Sequence, residues 1–227
     1  MHDKTPLVTC KDISKTFGSR CDSVTVLDRV SCSFYRGEIS LIQGAPGVGK
    51  TSFLHIVGLL DPHYTGSLKI NGVEIEGLSY SDRRLLRRRH IAFMFQSDVL
   101  FNELTLLQNI YITTCDKRTH RTERLERAGA CLEAAGLSKR PDEYPFMLSG
   151  GQRQKVALAR ALFTARPILL MDEPTVNLDN AASRELMRAV RSHVHETEST
   201  AIIVSHDPLM RGLVDKRLEL RGGKLSA

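Results

Sequence analysis

The sequence lacks any apolar run long enough to cross a membrane. A transmembrane helix needs about 20 consecutive, mostly apolar residues, and no run in this chain approaches that length. The first six residues also lack the apolar stretch that identifies a secretory signal peptide. We therefore expect a chain that is made in the cytosol and does not cross a membrane by itself.

Cysteine is scarce and scattered along the chain. The five cysteines are an odd number, and none belongs to a Cys-x-x-Cys pair or to a cluster with histidine. This spacing gives no sign of a cysteine-based metal site. We interpret them as reduced thiols that mostly serve packing; they are Cys10, Cys21, Cys32, Cys115 and Cys131.

Size and charge are those of an ordinary globular protein. The 227 residues allow one domain, with or without an inserted lobe. A formal net charge of +6 permits anionic partners, but a bound nucleotide would offset part of it. Basic charge alone is weak evidence for nucleic-acid binding, so no nucleic-acid partner is expected.

The pattern of apolar residues predicts an α/β fold. Period-two alternation or short apolar runs predict strands at 7–13, 24–27, 31–35, 39–42, 67–70, 91–95, 168–171, 201–204 and 215–221. Helical spacing follows residue 50 and returns at 152–165 and 181–197. Alternating strands and helices favour a largely parallel sheet covered on both faces. We expect residues 97–149 to form an inserted helical lobe.

A phosphate-binding loop stands between an apolar strand and a helix. Residues 44–51 read Gly-Ala-Pro-Gly-Val-Gly-Lys-Thr and fit the pattern G-x-x-x-x-G-K-[ST]. The glycines let successive N–H groups face the phosphates, and the helix contributes its positive N-terminal end. Lys50 is placed to reach the β- and γ-phosphates, and the Thr51 hydroxyl is placed to bind Mg²⁺.

Two acidic residues end the buried strand 168–171. Ligands bind at the carboxyl ends of strands in parallel sheets, so Asp172 and Glu173 are expected beside the phosphates. Asp172 would hold Mg²⁺ through water, and Glu173 is the candidate general base for attack of water on the γ-phosphate. An acidic pair at a strand end is a weak signal by itself, and the phosphate loop strengthens it.

A second glycine-bearing anion site lies about a hundred residues after the first. Ser149 is a good helix N-cap, but Gly150 and Gly151 make a poor first turn. Ordinary capping is one explanation, and close approach of an anion to the backbone is the other. Two phosphate sites in one small domain suggest that each serves a different nucleotide, which implies a dimer with ATP between the subunits.

Three further side chains stand at expected strand ends. His206 follows strand 201–204 and is placed to sense or stabilise a γ-phosphate. Gln96 follows strand 91–95 and is expected to face the site. Phe17 lies beside the first strand, where stacking on adenine and packing in the core are equally compatible with the sequence.

Taken together, these motifs resemble the ATP-binding subunit of an ABC (ATP-binding cassette) protein over essentially the whole chain. The resemblance implies a P-loop NTPase cassette of 227 residues, with a RecA-like core at 1–96 and 150–227, an antiparallel N-terminal β part and the helical lobe. It makes 44–51 the Walker A loop, 168–173 the Walker B strand with its catalytic glutamate, and 148–152 the signature motif. It also makes 176–179 the D-loop.

The resemblance further implies roles for individual residues. The catalytic groups are Glu173, His206, Gln96 and Lys50, and the Mg²⁺ site is formed by Thr51, Gln96 and Asp172. The implied nucleotide contacts are Phe17, Gly44, Ala45, Pro46, Gly47, Val48, Gly49, Lys50, Thr51, Ser52, Ser149, Gly150, Gly151, Gln152 and Asp179.

By the same resemblance, two cassettes pair head-to-tail, so that the signature motif of one meets the ATP on Walker A of the other. ATP closes this homodimer, hydrolysis reopens it, and the motion drives separate transmembrane permease subunits. The implied location is peripheral, on the cytoplasmic face of the inner membrane.

Within the family, residues 55–62, 89–96 and 177–179 are similar to the lipoprotein-release and macrolide-export group (LolD-like and MacB-like). Val176 stands where that group usually has glycine, and residues 97–101 are more similar to phospholipid-trafficking (MlaF-like) cassettes. Non-transporting cassettes of the FtsE cell-division type are the other alternative, and a DNA-repair type of clamp is disfavoured because no long insertion is present.

A basic cluster precedes the strand at 91–95. Two interpretations remain open for it: a solvated helix face, or contact with acidic lipid headgroups or with an acidic loop of a partner. The cluster consists of Arg83, Arg84, Arg87, Arg88 and Arg89.

Overall fold

The computed structural model describes residues 5–18, 22–96, 100–113, 120–137 and 140–226. The strands are β1 Pro6–Phe17, β2 Val24–Tyr35, β3 Ile39–Gln43, β4 Thr65–Ile70, β5 Val73–Glu74, β6 Ile91–Met94, β7 Ile168–Asp172, β8 Thr200–Val204, β9 Lys216–Arg221 and β10 Lys224–Ser226. The helices are α1 Lys50–Val57, α2 Tyr80–His90, α3 Leu106–Tyr111, α4 Arg121–Ala134, α5 Gly150–Phe163 and α6 Asn180–Thr197. Short 3-10 turns occupy Pro145–Met147 and Pro208–Gly212.

The strands form two sheets. An antiparallel sheet has the order β2-β1-β4-β5, and a six-stranded sheet has the order β10-β9-β3-β8-β7-β6. In the larger sheet every neighbouring pair is parallel except β9 with β10. Strands β7 and β8 are buried along their whole length, as expected for parallel strands covered on both faces. The predicted α/β fold with an antiparallel N-terminal part is confirmed.

One strand prediction was wrong. The sequence predicted two strands, at 24–27 and 31–35, separated by a turn, but residues 24–35 form the single strand β2. The pairing with β1 shifts register here, and Arg29 has a positive φ of 52°. A bulge of this kind accommodates extra residues without ending the strand. The polar residues that suggested a turn are thus absorbed into a continuous strand.

The segment between β6 and α5 is mainly helical where the structure describes it. Helices α3 and α4 pack around a separate apolar cluster that includes Leu106, Ile110 and Leu132. Residues 97–99, 114–119 and 138–139 lie outside the described parts of the chain. The proposed boundaries of the helical lobe, 97 and 149, therefore remain predictions.

Helix α5 packs on two clusters at once. Its residues Val156, Ala159 and Phe163 belong to the cluster of α3 and α4. On the other side of the helix, Leu158 and Leu162 pack with the core of the six-stranded sheet. Because both sides are buried, a displacement of α5 disturbs the helical part and the sheet together.

Asn109 organises the chain that follows β6. Its side chain is fully buried, accepts a hydrogen bond from the Phe101 N–H at 2.7 Å, and donates to the carbonyls of Phe101, Leu104 and Thr105. Buried backbone groups need such partners because water cannot reach them. One amide thus fixes the loop at 101–105 and the start of α3.

We expect Asn109→Leu to lower the free energy of unfolding by about 2 kcal/mol or more, because the substitution leaves several buried backbone groups without partners. Urea unfolding of the purified chain measures this. Gln108→Ala is the matched control: it removes only one half of the capping box at Thr105, and a loss of about 1 kcal/mol or less is expected. Equal losses in the two variants would contradict the assigned role of Asn109.

Within the described residues, no helix combines the length and the apolarity needed to span a membrane.

Candidate nucleotide-binding and catalytic site

The loop between β3 and α1 presents backbone N–H groups at a helix start. Gly49 is the N-cap of α1 with a φ of 108°, and no side chain caps the helix. A Cβ atom at this position would lie 2.7 Å from the Val26 carbonyl oxygen, so only glycine fits without displacing β2. The uncapped first turn leaves donors that suit a phosphate.

Lys50 lies folded over this loop. Its ammonium is largely buried and donates to the carbonyl oxygens of Gly44 at 2.8 Å and Ala45 at 3.0 Å. The positive charge therefore lies within the concave side of the loop. The predicted contact of Lys50 with the β- and γ-phosphates remains a prediction.

Asp172 ends β7 beside Thr51, which donates a hydrogen bond to its carboxylate. The side chain is buried, and its Oδ1 atom makes no hydrogen bond. Burial raises the pKa of Asp172 above its ordinary value, the neighbouring charge of Glu173 adds to this, and the Thr51 hydrogen bond opposes it. A buried carboxylate oxygen without a partner, next to a hydroxyl, fits a divalent cation.

Hydrogen bonds hold both the carboxylate and the backbone of Glu173. Its carboxylate accepts from the Ser205 hydroxyl at 2.9 Å and from the His206 N–H at 3.3 Å, and its Oε1 lies 2.8 Å from His206 Nδ1. Its own N–H donates to Val204 O, and its carbonyl accepts from Gln154 Nε2 at 3.1 Å. The backbone is left-handed, with a φ of 47°. So many contacts fix one orientation of the candidate base.

The structure brings His206 to Glu173. The exposed imidazole contacts the carboxylate through Nδ1. The predicted contact of His206 with a γ-phosphate remains a prediction, but the pairing shows that the two strand ends meet as expected from the parallel sheet.

The Ser149 turn is a separate region of the surface. Ser149 caps α5 in a capping box with Gln152. An open cleft of about 490 Å³ is lined by this turn and by the segment 177–179. None of the residues 44–51 lines this cleft. Within one chain, therefore, the two glycine-bearing sites do not form one pocket.

Gly151 has a packing reason that the sequence argument missed. A Cβ atom there would lie 2.9 Å from Leu178 Cδ2 and 3.0 Å from the Asn177 carbonyl oxygen. Close approach of the chain's own 177–178 segment therefore requires a small residue, whether or not an anion binds. A Cβ atom at Gly150 would lie 3.7 Å from its nearest neighbour, so packing does not require glycine there. A contribution of Gly150 to anion binding stays a prediction. Asp179 itself is the N-cap of α6 and accepts from the Ala182 N–H.

The structure places two further predicted contacts, Gln96 and Phe17, near strand ends. Gln96 is exposed two residues beyond β6. Phe17 ends β1 with about half of its side chain exposed, and the ammonium of Lys15 lies 4.9 Å from its ring centre. The Phe17 ring thus lies beside the positive charge of Lys15, and part of the ring is open to solvent.

Comparison with known proteins agrees with this arrangement. Residues 27–176 match the family model described as ABC transporter. The chain is a member of the ABC transporter family. It is 36% identical over 224 residues to the lipoprotein-releasing system ATP-binding protein LolD of Bordetella pertussis, covering 99% of this chain and 97% of that protein.

Two further similarities define the group and the fold. The chain is 37% identical over 221 residues to the macrolide export ATP-binding/permease protein MacB of Shigella flexneri, but spans only 34% of that protein's length. It also superposes on the ATP-binding cassette MJ0796, solved as a dimer with ADP and Pi, with a TM-score of 0.90, 31% identity and 97% coverage of both chains. The chain is therefore an ATP-binding subunit and an ATPase of the LolD/MacB group.

The cassette uses several residues that sequence reasoning did not select. Lys15 is buried and bonds Asp61 at 2.7 Å and the His63 carbonyl at 2.6 Å. A signal was available, because alternation in β1 puts Lys15 on the same face as buried Ile13. Gln154 and Ser205 gave no such signal, because their partner, Glu173, is distant in sequence and is brought near by the sheet.

We expect Asp172→Asn to stabilise the nucleotide-free cassette while abolishing its ATPase activity. The amide carries no charge, so its burial costs less, but it also loses the anionic group for Mg²⁺. Thermal unfolding without nucleotide should show a rise in Tm of about 2–4 °C, which is about 1 kcal/mol for a chain of this size. Hydrolysis should fall by about two orders of magnitude or more. Asp142→Asn changes an exposed carboxylate and should alter neither; an unchanged Tm in Asp172→Asn would contradict the argument.

Proposed function

We propose that two copies of this cassette close head-to-tail around two ATP molecules and drive a separate membrane permease. The observation that carries this proposal is the separation of the two glycine-bearing sites. One site holds Lys50 and the acidic pair, whereas the other, at Ser149, opens into a different cleft. A second copy would supply its Ser149 turn to the ATP held by the first.

The chemistry at the first site follows from the contacts around it. Backbone N–H groups of 44–49 and Lys50 bind the phosphates, and electrostatic stabilisation of this kind is the main contribution to phosphoryl-transfer catalysis. Thr51 and Asp172 would hold Mg²⁺, with Gln96 nearby, and the ion would neutralise phosphate charge. Glu173, oriented by Ser205 and His206, accepts a proton from the attacking water.

The relatives support the dimer and the transport role in general. The MJ0796 structures are dimeric, and LolD and MacB are named as parts of a lipoprotein-releasing system and a macrolide exporter. We assign this cassette to lipoprotein or lipid release or to macrolide-type export, acting peripherally on the cytoplasmic face of the inner membrane. The alternatives are a cassette of the FtsE type and a phospholipid-trafficking ATPase.

The permease would contact a basic groove that includes part of the arginine cluster of α2. This basic groove has a volume of about 370 Å³. Its floor includes the stacked rings of Phe93 and Phe95, 4.6 Å apart. The arginines lining it are Arg84, Arg87, Arg88, Arg160 and Arg166, and no lining residue is acidic.

Arg88 and Arg166 of the basic groove repel each other. Burial lowers the pKa of Arg166, and the charge of Arg88 lowers it further. The Nε atom of Arg166 is buried without a hydrogen bond. An acidic, partly apolar segment of the permease would satisfy both the charges and the aromatic floor, whereas a flat membrane surface cannot reach the floor of a groove.

The dimer is tested with Glu173→Gln. This variant should bind ATP and remain as a closed dimer, because it keeps the phosphate contacts and loses the base. Size-exclusion chromatography with ATP measures the dimer, and phosphate release should fall by about two orders of magnitude or more. Ser149→Arg is the counterpart, expected to bind nucleotide and stay monomeric. A monomeric Glu173→Gln, or one that hydrolyses normally, would refute the proposed role.

The same trapped variant identifies the partner. When it is purified with ATP from detergent-solubilised membranes, a partner with about four spans and a large extracytoplasmic domain would support the lipoprotein-release or macrolide assignment. A five- or six-span permease would favour phospholipid trafficking instead. Recovery without any membrane protein would overturn the transporter proposal in favour of a soluble ABC clamp.

We expect Arg88→Glu to abolish co-purification with that partner while leaving the ATPase activity of the isolated cassette unchanged. The reversal puts a negative charge where the basic groove is expected to meet an acidic segment. Arg217→Glu makes the same change in net charge at an exposed position of β9 and should keep the partner. If both variants retain the partner, the partner binds elsewhere; if Arg88→Glu keeps the partner but loses vesicles rich in anionic lipid that Arg217→Glu still binds, the cluster is a membrane contact.

A further inference from the structure

Gln154 connects the signature turn to the catalytic glutamate of the same chain. It lies one turn into α5, five residues after Ser149, and is 4% exposed. Its Nε2 donates to the Glu173 carbonyl at 3.1 Å, while its Oε1 is buried and makes no hydrogen bond. A buried amide whose oxygen has no hydrogen-bond partner is costly, so packing alone does not favour glutamine at this position.

The bond reaches Glu173 where its backbone is easily disturbed. A φ of 47° is unfavourable for a residue with a Cβ atom and persists only when the surroundings hold it. The Glu173 carbonyl also accepts a longer bond, 3.4 Å, from the Val176 N–H. If Gln154 withdraws, the carbonyl loses its shorter bond, and the left-handed backbone that directs the Glu173 side chain towards Ser205 and His206 loses one of the contacts that hold it.

The N-terminal turn of helix α5 packs closely against the segment 177–178. A Cβ atom at Gly151 would lie 2.9 Å from Leu178 Cδ2 and 3.0 Å from the Asn177 carbonyl oxygen, so the turn and this segment are in tight contact. The helix is also buried on two sides, against the sheet and against α3 and α4. A shift of the Ser149 turn therefore moves Gln154 as part of one body.

We infer that Gln154 is a positioning residue that couples the two ATP sites of the dimer. This inference rests on the proposed head-to-tail arrangement, in which Ser149 meets the ATP of the partner while Glu173 acts on the ATP of its own chain. Binding at one site orders α5 and, through Gln154, orients Glu173 at the other site. The coupling makes hydrolysis at each site depend on occupancy of both.

The test is the ATP dependence of hydrolysis by the purified full chain. The wild type should show a Hill coefficient well above one and at most two, since there are two sites. Gln154→Met keeps the side-chain volume and removes the donor. It should lower kcat about tenfold and bring the Hill coefficient to about one, while the binding of ATP to the monomer changes less than about twofold.

A pH profile separates this role from a merely structural one. In Gln154→Glu the carboxylate has no donor, whereas its protonated form donates an O–H to the Glu173 carbonyl. Burial raises the pKa of such a group. The activity of Gln154→Glu relative to wild type should therefore rise as the pH is lowered from about 8 to about 6, and its Hill coefficient should rise with it.

A matched control at the junction of α5 and α6 is Glu185→Gln. It removes the partly exposed ion pair, 2.6 Å, between Lys155 of α5 and Glu185 of α6, and should leave kcat and the Hill coefficient unchanged. A cooperative dimer in which Gln154→Met keeps its cooperativity, or in which Gln154→Glu has a flat relative pH profile, overturns the coupling alone. A wild-type chain that hydrolyses ATP as a monomer overturns the coupling and the proposed function together.

Discussion

Parallel pairing of β3, β8 and β7 is the constraint on which the site depends. The register aligns Ile42 with Val204 and Val204 with Asp172, so three strands end at the same level. Each strand ends in or is followed directly by candidate functional residues: the phosphate loop, Ser205 and His206, and the acidic pair. The backbone hydrogen bonds between these strands therefore fix the positions of the three groups of residues relative to one another.

The same edge of the sheet carries a cost in stability. Asp172 is buried with an unpaired oxygen, Glu173 has a left-handed backbone, and Lys50 is buried on its own loop. Each feature is unfavourable for a folded chain without nucleotide, yet each suits the charges of ATP and its cation. The large apolar core elsewhere in the sheet offsets this cost, because it is built from continuous apolar strands that need no polar partners.

Helix α5 contacts both the six-stranded sheet and the helical part of the cassette. It starts at the Ser149 turn, contacts Glu173, the proposed catalytic base, through Gln154, and packs between the sheet and the helices α3 and α4. The basic groove includes the same helix through Arg160 and Ala161. Nucleotide, partner subunit and proposed permease contact would therefore all act on one rigid element, which is what a transport ATPase needs to convert binding into motion.

The fold class and most candidate residues could be predicted from the sequence, because they depend on local patterns. Apolar periodicity marked the strands, and glycine, lysine and acidic residues stood at their ends in fixed spacing. The tertiary structure alone decided the rest. The bulge that makes β2 continuous depends on pairing with β1, and the size limit at Gly151 comes from residues 177–178. Likewise, the partners of Glu173 at 154, 205 and 206 are brought together by sheet order, because a hydrogen bond between distant residues leaves no periodic trace in the chain.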